Sequence, residues 1–454
     1  MVNILENQRE FFNTNKSKEV NFRIQQLKKL KNILKDNEEL LYKAIYNDFG
    51  KSEFETYISE LALIYHEINN FIKKVNGWSK KKKVSTNLAN FPAKSYIIPE
   101  PLGNTLIIGA WNYPYQLSLV PAISSLAAGN TVILKPSELP NETSKIMAKI
   151  INENFPSEYF HVVEGGVKET TQLLEFKFDK IFFTGSTNVG KIIYQAAAKN
   201  LTPVTLELGG KSPTFVFKDC DIKMTAKRIV WAKFLNAGQT CVAPDYVLVE
   251  KNIENQFLET IKKEIEKYHD SKFKNKDNYL KIINAQNFER LCKLIDADKV
   301  YCGGQTNKEN RSINPTVLYN ISFEDEIMHD EIFGPILPVL TFSNLDEVIF
   351  KVKERSKPLS CYIYSKDQKK INKLLNEISF GGGAINDSLM QLSNSKLPFG
   401  GVGCSGIGNY HGEAGFRQFT HYKSILHKPF WFESNLKYPP YTKAKMKILK
   451  FLLE

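Results

Sequence analysis

The chain has 454 residues, of which 42% are hydrophobic, 24% charged and 12% aromatic, a balance that suits a soluble globular protein. That length is too great for one ordinary core and predicts two or three domains. The net charge of +12 reads as a lysine-rich solvated surface, because its one dense run, Lys80 to Lys83, has no stacking aromatics interleaved and so points away from nucleic acid.

The N-terminus, M-V-N-I-L-E-N-Q-R-E, has neither an apolar core nor a cleavage-site pattern, so no signal peptide is expected. No run of about 18 apolar residues occurs, so no membrane span is expected and any membrane contact is peripheral. Cys220, Cys241, Cys292, Cys302, Cys361 and Cys404 form no C-x-x-C pair and are too sparse for a disulfide scaffold. The expectation is free thiols, no metal site and a cytoplasmic location.

In chain order, residues 22 to 48 predict one amphipathic helix, with Phe22, Leu27, Leu30, Leu34, Leu41 and Ile45 on a shared face and Gly50 as its stop. Ile58, Leu61, Tyr65, Ile68 and Ile72 predict a second helix ending near Gly77. From residue 104 to about 208, short β-rich runs alternate with stretches of helical length, such as Gln116 to Ala128 and Val189 to Ala198. That alternation predicts a parallel sheet with right-handed crossovers, whose strand ends commonly receive dinucleotides. A second α/β region begins with P-T-F-V-F after Gly210, and a Gly-rich stretch from Leu397 to Gly408 precludes a long regular element. After Pro439 and Pro440, a basic helix is predicted from Thr442 to Leu453.

Five motifs carry candidate chemistry. In F-L-N-A-G-Q-T-C-V-A-P, Cys241 sits among polar, turn-forming residues, which reads either as an accessible thiol or as a small buried hydrophobe. In V-T-L-E-L-G-G-K, Glu207 ends an apolar strand; it is either a desolvated base with a raised pKa or a solvent-facing strand end. I-F-F-T-G-S-T-N-V-G-K runs a strand through Gly185, Ser186 and Gly190 into a helix, the geometry that presents backbone N–H groups to a phosphate. It is no nucleotide-triphosphatase P-loop, because Ile192 follows Lys191 where Ser or Thr would ligate magnesium. In I-G-A-W-N-Y-P, the Asn112 amide is an oxyanion donor or an ordinary turn residue. In T-V-I-L-K-P-S-E, Lys135 and Glu138 leave a strand where ribose hydroxyls would lie, or are plain surface charges.

These motifs, with E-I-F-G-P at 331 to 335 and L-P-F-G-G-V-G at 397 to 403, resemble in order and spacing the aldehyde dehydrogenase superfamily. The likeness covers most of the chain. The short N-terminus, G-N-Y-H-G at 408 to 412 and L-K-Y-P-P-Y at 436 to 441 resemble its class 3 branch, which includes fatty-aldehyde and aromatic-aldehyde enzymes.

The resemblance implies an α/β fold with a Rossmann-type NAD(P)-binding domain (1–82 and 100–207), a catalytic domain (208–384), a bridging and oligomerisation arm (83–99 and 385–424) and a tail helix (425–454). It implies Cys241 as nucleophile, Glu207 as general base, and the Asn112 amide with the Cys241 N–H as oxyanion hole. It further implies cofactor contacts from Trp111, Lys135, Glu138, Gly185, Ser186, Gly190, Leu208, Glu331 and Phe333. Tyr113, Trp231 and Phe399 are expected to line an aldehyde tunnel, and two chains to form a homodimer. The implied reaction is NAD- or NADP-dependent oxidation of an apolar aliphatic or aromatic aldehyde to the acid through a thioester. A coenzyme A-acylating relative or an acyl reductase is the main alternative; acylating relatives usually lack the carboxylate present here as Glu207. A non-catalytic protein on the same fold is a second, which the intact motifs oppose. Glu138 would repel a 2′-phosphate and so favours NAD. Cys404 departs from the polar residue expected in its motif. The tail helix is expected to cap the substrate mouth, the alternative being that it lies weakly on a membrane surface.

Overall fold

Runs of β-branched and aromatic residues with no polar alternation, such as T-V-I-L-K and K-I-F-F-T, form strands buried on both faces, as a parallel sheet covered by helices requires. The computed structural model describes residues 2–269 and 280–453. Residues 270–279 of the expected catalytic segment, Met1 and Glu454 of the tail lie outside the described residues.

The first sheet has six strands in the order Gly406–Ile407, Val204–Glu207, Lys180–Thr184, Asn104–Ile108, Thr131–Lys135 and Phe160–Val162. All neighbours are parallel except the two-residue edge strand Gly406–Ile407, which runs antiparallel to Val204–Glu207. The strand order reverses between Lys180–Thr184 and Asn104–Ile108, the kind of switch point where a crevice opens at the carboxyl ends. The second sheet has seven strands, from Val300–Cys302 through Thr316–Leu318, Ile336–Phe342, Tyr246–Glu250, Pro213–Val216 and Ser360–Tyr364 to Gly382–Ile385. Only its edge pair Val300–Cys302 with Thr316–Leu318 is antiparallel. A third, antiparallel sheet joins Lys82–Val84, Lys94–Pro101 and Thr420–His427. Lys94–Pro101 and Thr420–His427 run across the expected boundaries at 99/100 and 424/425.

Two sequence expectations shift. The helix expected over 22 to 48 is two, Val20–Asp36 and Glu38–Phe49. The break falls at Asn37, whose side chain bonds the Ile33 carbonyl at 2.8 Å and so competes with the helical ladder. Gly50 then ends the second helix at φ 71, as its residue type allows. The next apolar stripe is Glu53–Thr56, a π-helical turn Tyr57–Leu61, and Ala62–Trp78. The extra residue in that turn lets Ile58 face a cavity while Leu61, Ile64 and Ile68 stay in the core.

Candidate active site

Between the two large sheets lies a cavity of about 830 Å³, and its wall collects residues from every candidate motif. Cys241, Glu207 and Asn112 line it, as do Trp111, Lys135, Glu138, Gly185, Ser186, Leu208, Glu331, Phe333, Tyr113, Trp231 and Phe399. Gly190 alone of the expected residues does not. It is buried one turn into the helix Thr187–Ala198, where a Cβ would come within 2.6 Å of Leu208 Cδ2. Its smallness serves close packing under Leu208, not direct contact with a ligand.

The nucleophile candidate is presented by a strained loop. Helix Ile222–Phe234 ends, and Asn236, Ala237 and Gly238 follow with φ of 54, 51 and 71. Two non-glycine residues in the left-handed region are costly, on the order of 1–2 kcal/mol each, so the surroundings must hold them. The Asn236 side chain donates to the carbonyls of Asn112 at 2.9 Å and Gln239 at 3.2 Å. The Asn112 amide in turn donates to the Gln239 carbonyl at 3.0 Å. Gly238 has no room for a side chain, since a Cβ would meet the Gly334 carbonyl at 2.3 Å. The backbone N–H groups of Cys241 and Val242 point at the Cys241 sulfur.

One helical run supports three parts of this wall with three carboxylates, of which Glu60 and Glu67 are buried and Glu55 is partly buried. Glu55 accepts from Asn236 N at 2.9 Å, fixing the Cys241 loop. Glu60 accepts from Tyr115 N at 2.8 Å and Gln116 N at 3.3 Å, fixing the turn that carries Asn112 and Tyr113. Glu67 accepts from Gly412 N at 2.5 Å, fixing the Tyr410–His411 segment. Glu60 also pairs with Lys51 at 2.8 Å, and both side chains are wholly buried. Lys51 Nζ lies 4.5 Å from the centre of the Tyr113 ring, and the Tyr113 hydroxyl bonds Thr240 Oγ1 at 2.6 Å. None of these supports was read from the sequence, because the segment is remote from every motif and its carboxylates alternate with apolar residues like any amphipathic helix.

Burial governs the ionisation of the central groups. It raises the Cys241 thiol, reinforced by the charges of Glu331 and Glu207. It holds Glu207 well above the carboxylate range, and neither Glu207 oxygen has a hydrogen-bond partner among the described residues. Glu331 is pushed up to about 8, by burial and then by Asp245. Its loop is pinned by Lys211, which pairs with Asp245 at 2.6 Å and donates to the carbonyls of Ile327 and Asp330. Arg290, on the cavity wall, donates to the Ile332 carbonyl at 2.7 Å.

A dinucleotide fits the other end of the cavity. Ser186 caps the helix Thr187–Ala198, accepting from Val189 N at 3.4 Å, and so turns that helix N-terminus toward the cavity. A Cβ on Gly185 would strike the Phe183 ring at 2.5 Å, and one on Gly209 the Glu331 carboxylate at 2.0 Å. Both positions must therefore stay bare for the backbone to reach this wall. Trp111 and Phe333 meet edge to face at 5.3 Å, with Phe333 at φ 51.

The residue-by-residue reading missed Tyr410 and His411, which line the same cavity. His411 stacks on Phe399 at 5.4 Å, and burial pulls its imidazole down to about 4, so it is neutral. The signal available was the Gly-flanked Y-H pair shortly after L-P-F-G-G. Cys404 is exposed beside Thr187, away from the cavity lining, so its departure from the motif leaves the tunnel untouched. Among the described residues no lining residue lies beyond His411, so the described part of the tail helix Lys443–Leu453 does not cap the cavity of its own chain. Among the described residues no cluster of His, Cys, Asp or Glu could hold a metal, and no helix is long and apolar enough to cross a membrane.

Residues 3–425 match the family model described as "Aldehyde dehydrogenase family". The chain is 46% identical over 442 residues to 4,4'-diaponeurosporen-aldehyde dehydrogenase of Staphylococcus aureus, covering 97% of this chain and 96% of that one. It is 43% identical over 440 residues to the dimeric NADP-preferring aldehyde dehydrogenase of Rattus norvegicus, covering 96% and 97%. The solved substrate-bound state of Staphylococcus aureus AldH is similar at a TM-score of 0.97 and 44% identity, covering 100% of this chain and 99% of that one.

Proposed function

The chain belongs to the aldehyde dehydrogenase family, and from that premise we propose how its own residues divide the work of NAD(P)-dependent aldehyde oxidation. The observation that carries the proposal is the convergence of Cys241, Asn112 and Glu207 on one cavity, with both Glu207 oxygens unpartnered among the described residues.

In this reading Cys241 attacks the aldehyde carbon. The oxygen that becomes negative is held by the Asn112 amide and the Cys241 N–H, whose worth is about 2.7–4 kcal/mol per donor in comparable sites. A bound nicotinamide coenzyme supplies the hydride acceptor. Lys135 and Glu138 would hold its ribose, Gly185 and Ser186 its phosphates, and Glu331, Phe333, Trp111 and Leu208 its nicotinamide end. Cys241 then carries the acyl group as a thioester, and Glu207 takes a proton from the water that releases the acid. A carboxylate at position 207 favours hydrolysis over transfer to coenzyme A.

The substrate end supports an apolar aldehyde, aliphatic or aromatic. Tyr113, Trp231, Leu235, Leu392 and Phe399 line it, and the Staphylococcus aureus relative at 46% identity is named a 4,4'-diaponeurosporen-aldehyde dehydrogenase. We assign the first sheet to the coenzyme, the second to the nucleophile loop, and the three-stranded sheet to a homodimer contact. The dimer is supported by exposed Val84, Tyr422 and Leu426 on that sheet and by a relative named dimeric. We assign the protein to the cytoplasm, where its six free cysteines, Cys241 included, would stay reduced.

Cys241→Ser tests the centre of the proposal. Oxidation of a panel of aldehydes should vanish while NAD binding, read by protein fluorescence, is retained. Near-full activity in the serine variant overturns the assignment.

A further inference from the structure

We propose that Tyr410 is a second catalytic residue of the hydrolytic step, its hydroxyl orienting the water that Glu207 activates. The proposal rests on the reading of Glu207 as base. Tyr410 is wholly buried and lines the cavity together with Glu207 and Cys241. Its Oη has no hydrogen-bond partner among the described residues, and neither has either oxygen of Glu207. The three groups thus face one shared space.

The ring itself is fixed. It meets Phe182 at 5.0 Å, Phe399 at 5.6 Å and His411 at 4.4 Å, all edge to face. Its backbone is locked by paired bonds with Phe399, at 2.9 and 2.7 Å, and Glu67 holds Gly412 N two residues on. Packing of that kind asks only for an aromatic ring, and phenylalanine would supply it. A buried hydroxyl that bonds to nothing is unfavourable where it stands. Its presence in the same cavity as two equally unpartnered carboxylate oxygens points to a shared ligand that is small and polar.

Water is the ligand the reaction requires there. Glu207 can take one hydrogen of a water molecule; the second needs an acceptor, or the lone pair is not held on the acyl carbon. Tyr410 Oη is that acceptor. The balance is then complete. Glu207 in its ionised form takes one proton, the water oxygen forms a bond to the thioester carbon, and the carbon–sulfur bond breaks with its electron pair returning to Cys241. The acid leaves, and Tyr410 keeps its own proton throughout.

Rapid-quench kinetics of the intact enzyme with NAD and an aromatic aldehyde test this, comparing wild type, Tyr410→Phe and Glu207→Gln. In Tyr410→Phe the first-turnover burst of NADH should keep its rate and amplitude, while the acyl-enzyme persists about tenfold longer or more. Hydroxylamine, a nucleophile that needs no oriented water, should return release to the wild-type rate. An unchanged acyl-enzyme lifetime overturns the proposal, as does a burst slowed by the same factor, which would give the hydroxyl a packing role. If Glu207→Gln hydrolyses its acyl-enzyme normally, the base assignment falls. If Glu207→Gln stalls and Tyr410→Phe does not, only the role of Tyr410 falls.

Discussion

Asn236 donates its side-chain amide to the main-chain carbonyl of Asn112 at 2.9 Å, so the loop bearing the nucleophile and the turn bearing the oxyanion donor move as one unit. Asn236 does this from φ 54, a conformation asparagine tolerates better than most residues. Asn236→Gly keeps the backbone freedom and deletes the amide. It should lower kcat for aldehyde oxidation roughly tenfold, the effect of losing one or two buried hydrogen bonds of about 1 kcal/mol each, with the Kd for NAD unchanged. Wild-type turnover in this variant would mean that the loop holds its shape without the bridge.

Asn112→Ala removes the proposed oxyanion donor itself. The expected fall in kcat is on the order of 100- to 1000-fold. Because the Asn112 amide donates to the Gln239 carbonyl in this structure, the variant also frees that carbonyl. Asn112→Asp also donates to neither oxygen but keeps the side-chain volume, so the pair of variants separates the loss of the donor from the loss of packing. Both variants should be slow. Activity in the aspartate variant near that of wild type would assign the hole to backbone N–H groups alone.

What was legible in the sequence follows from range. Gly185, Glu207 and Asn112 were readable because each stands where a strand ends, and strand ends of a parallel sheet meet at one crevice. Cys241 alone was ambiguous between a thiol and a core residue; only the neighbours decided it. Lys51, Glu55, Glu60 and Glu67 were illegible, because their partners Tyr113, Asn236, Tyr115 and Gly412 lie up to 345 residues away. Tyr410 was hidden differently: its motif was visible as a likeness, but its orphaned hydroxyl appears only when the packing around it is known.

The raised pKa of Cys241 gives a pH dependence. A cysteine with an ordinary pKa near 8.5 is half thiolate at that pH. Burial, with Glu331 and Glu207 adding to it, keeps this thiol protonated there. The rate of iodoacetamide inactivation of the coenzyme-free protein should therefore still be rising well above pH 9. A plateau at or below pH 8.5 would mean the thiol is more solvated than its surroundings imply.

Glu138 is exposed at the cavity rim, with Glu164 and Glu169 acting on the same Lys135. A 2′-phosphate brought to this rim meets net negative charge, worth roughly 1 kcal/mol where water screens it. NAD should be preferred to NADP, and Glu138→Gln should raise kcat/KM for NADP about fivefold relative to NAD. An unchanged ratio would place the 2′ position elsewhere.

Glu67 links the cavity wall to stability. Its carboxyl is almost fully buried and burial pushes it up from the ordinary 4.5 to about 7, against the opposing pull of the Gly412 and Asn70 hydrogen bonds. Between those two values the folded protein holds a proton that the unfolded chain has released, so the contribution is full below about 4.5 and is lost as pH rises through 7. The loss amounts to roughly 3 kcal/mol at most. Glu67→Gln keeps a carbonyl for the Gly412 N–H and cannot ionise. Urea denaturation at pH 5 and pH 8 should show the variant gaining on wild type at the higher pH. The gain should come with no change in the burst rate, since the wall keeps its hydrogen bond. Equal differences at the two pH values would show that Glu67 titrates as an ordinary carboxylate, and that Gly412 is held by a charged group after all.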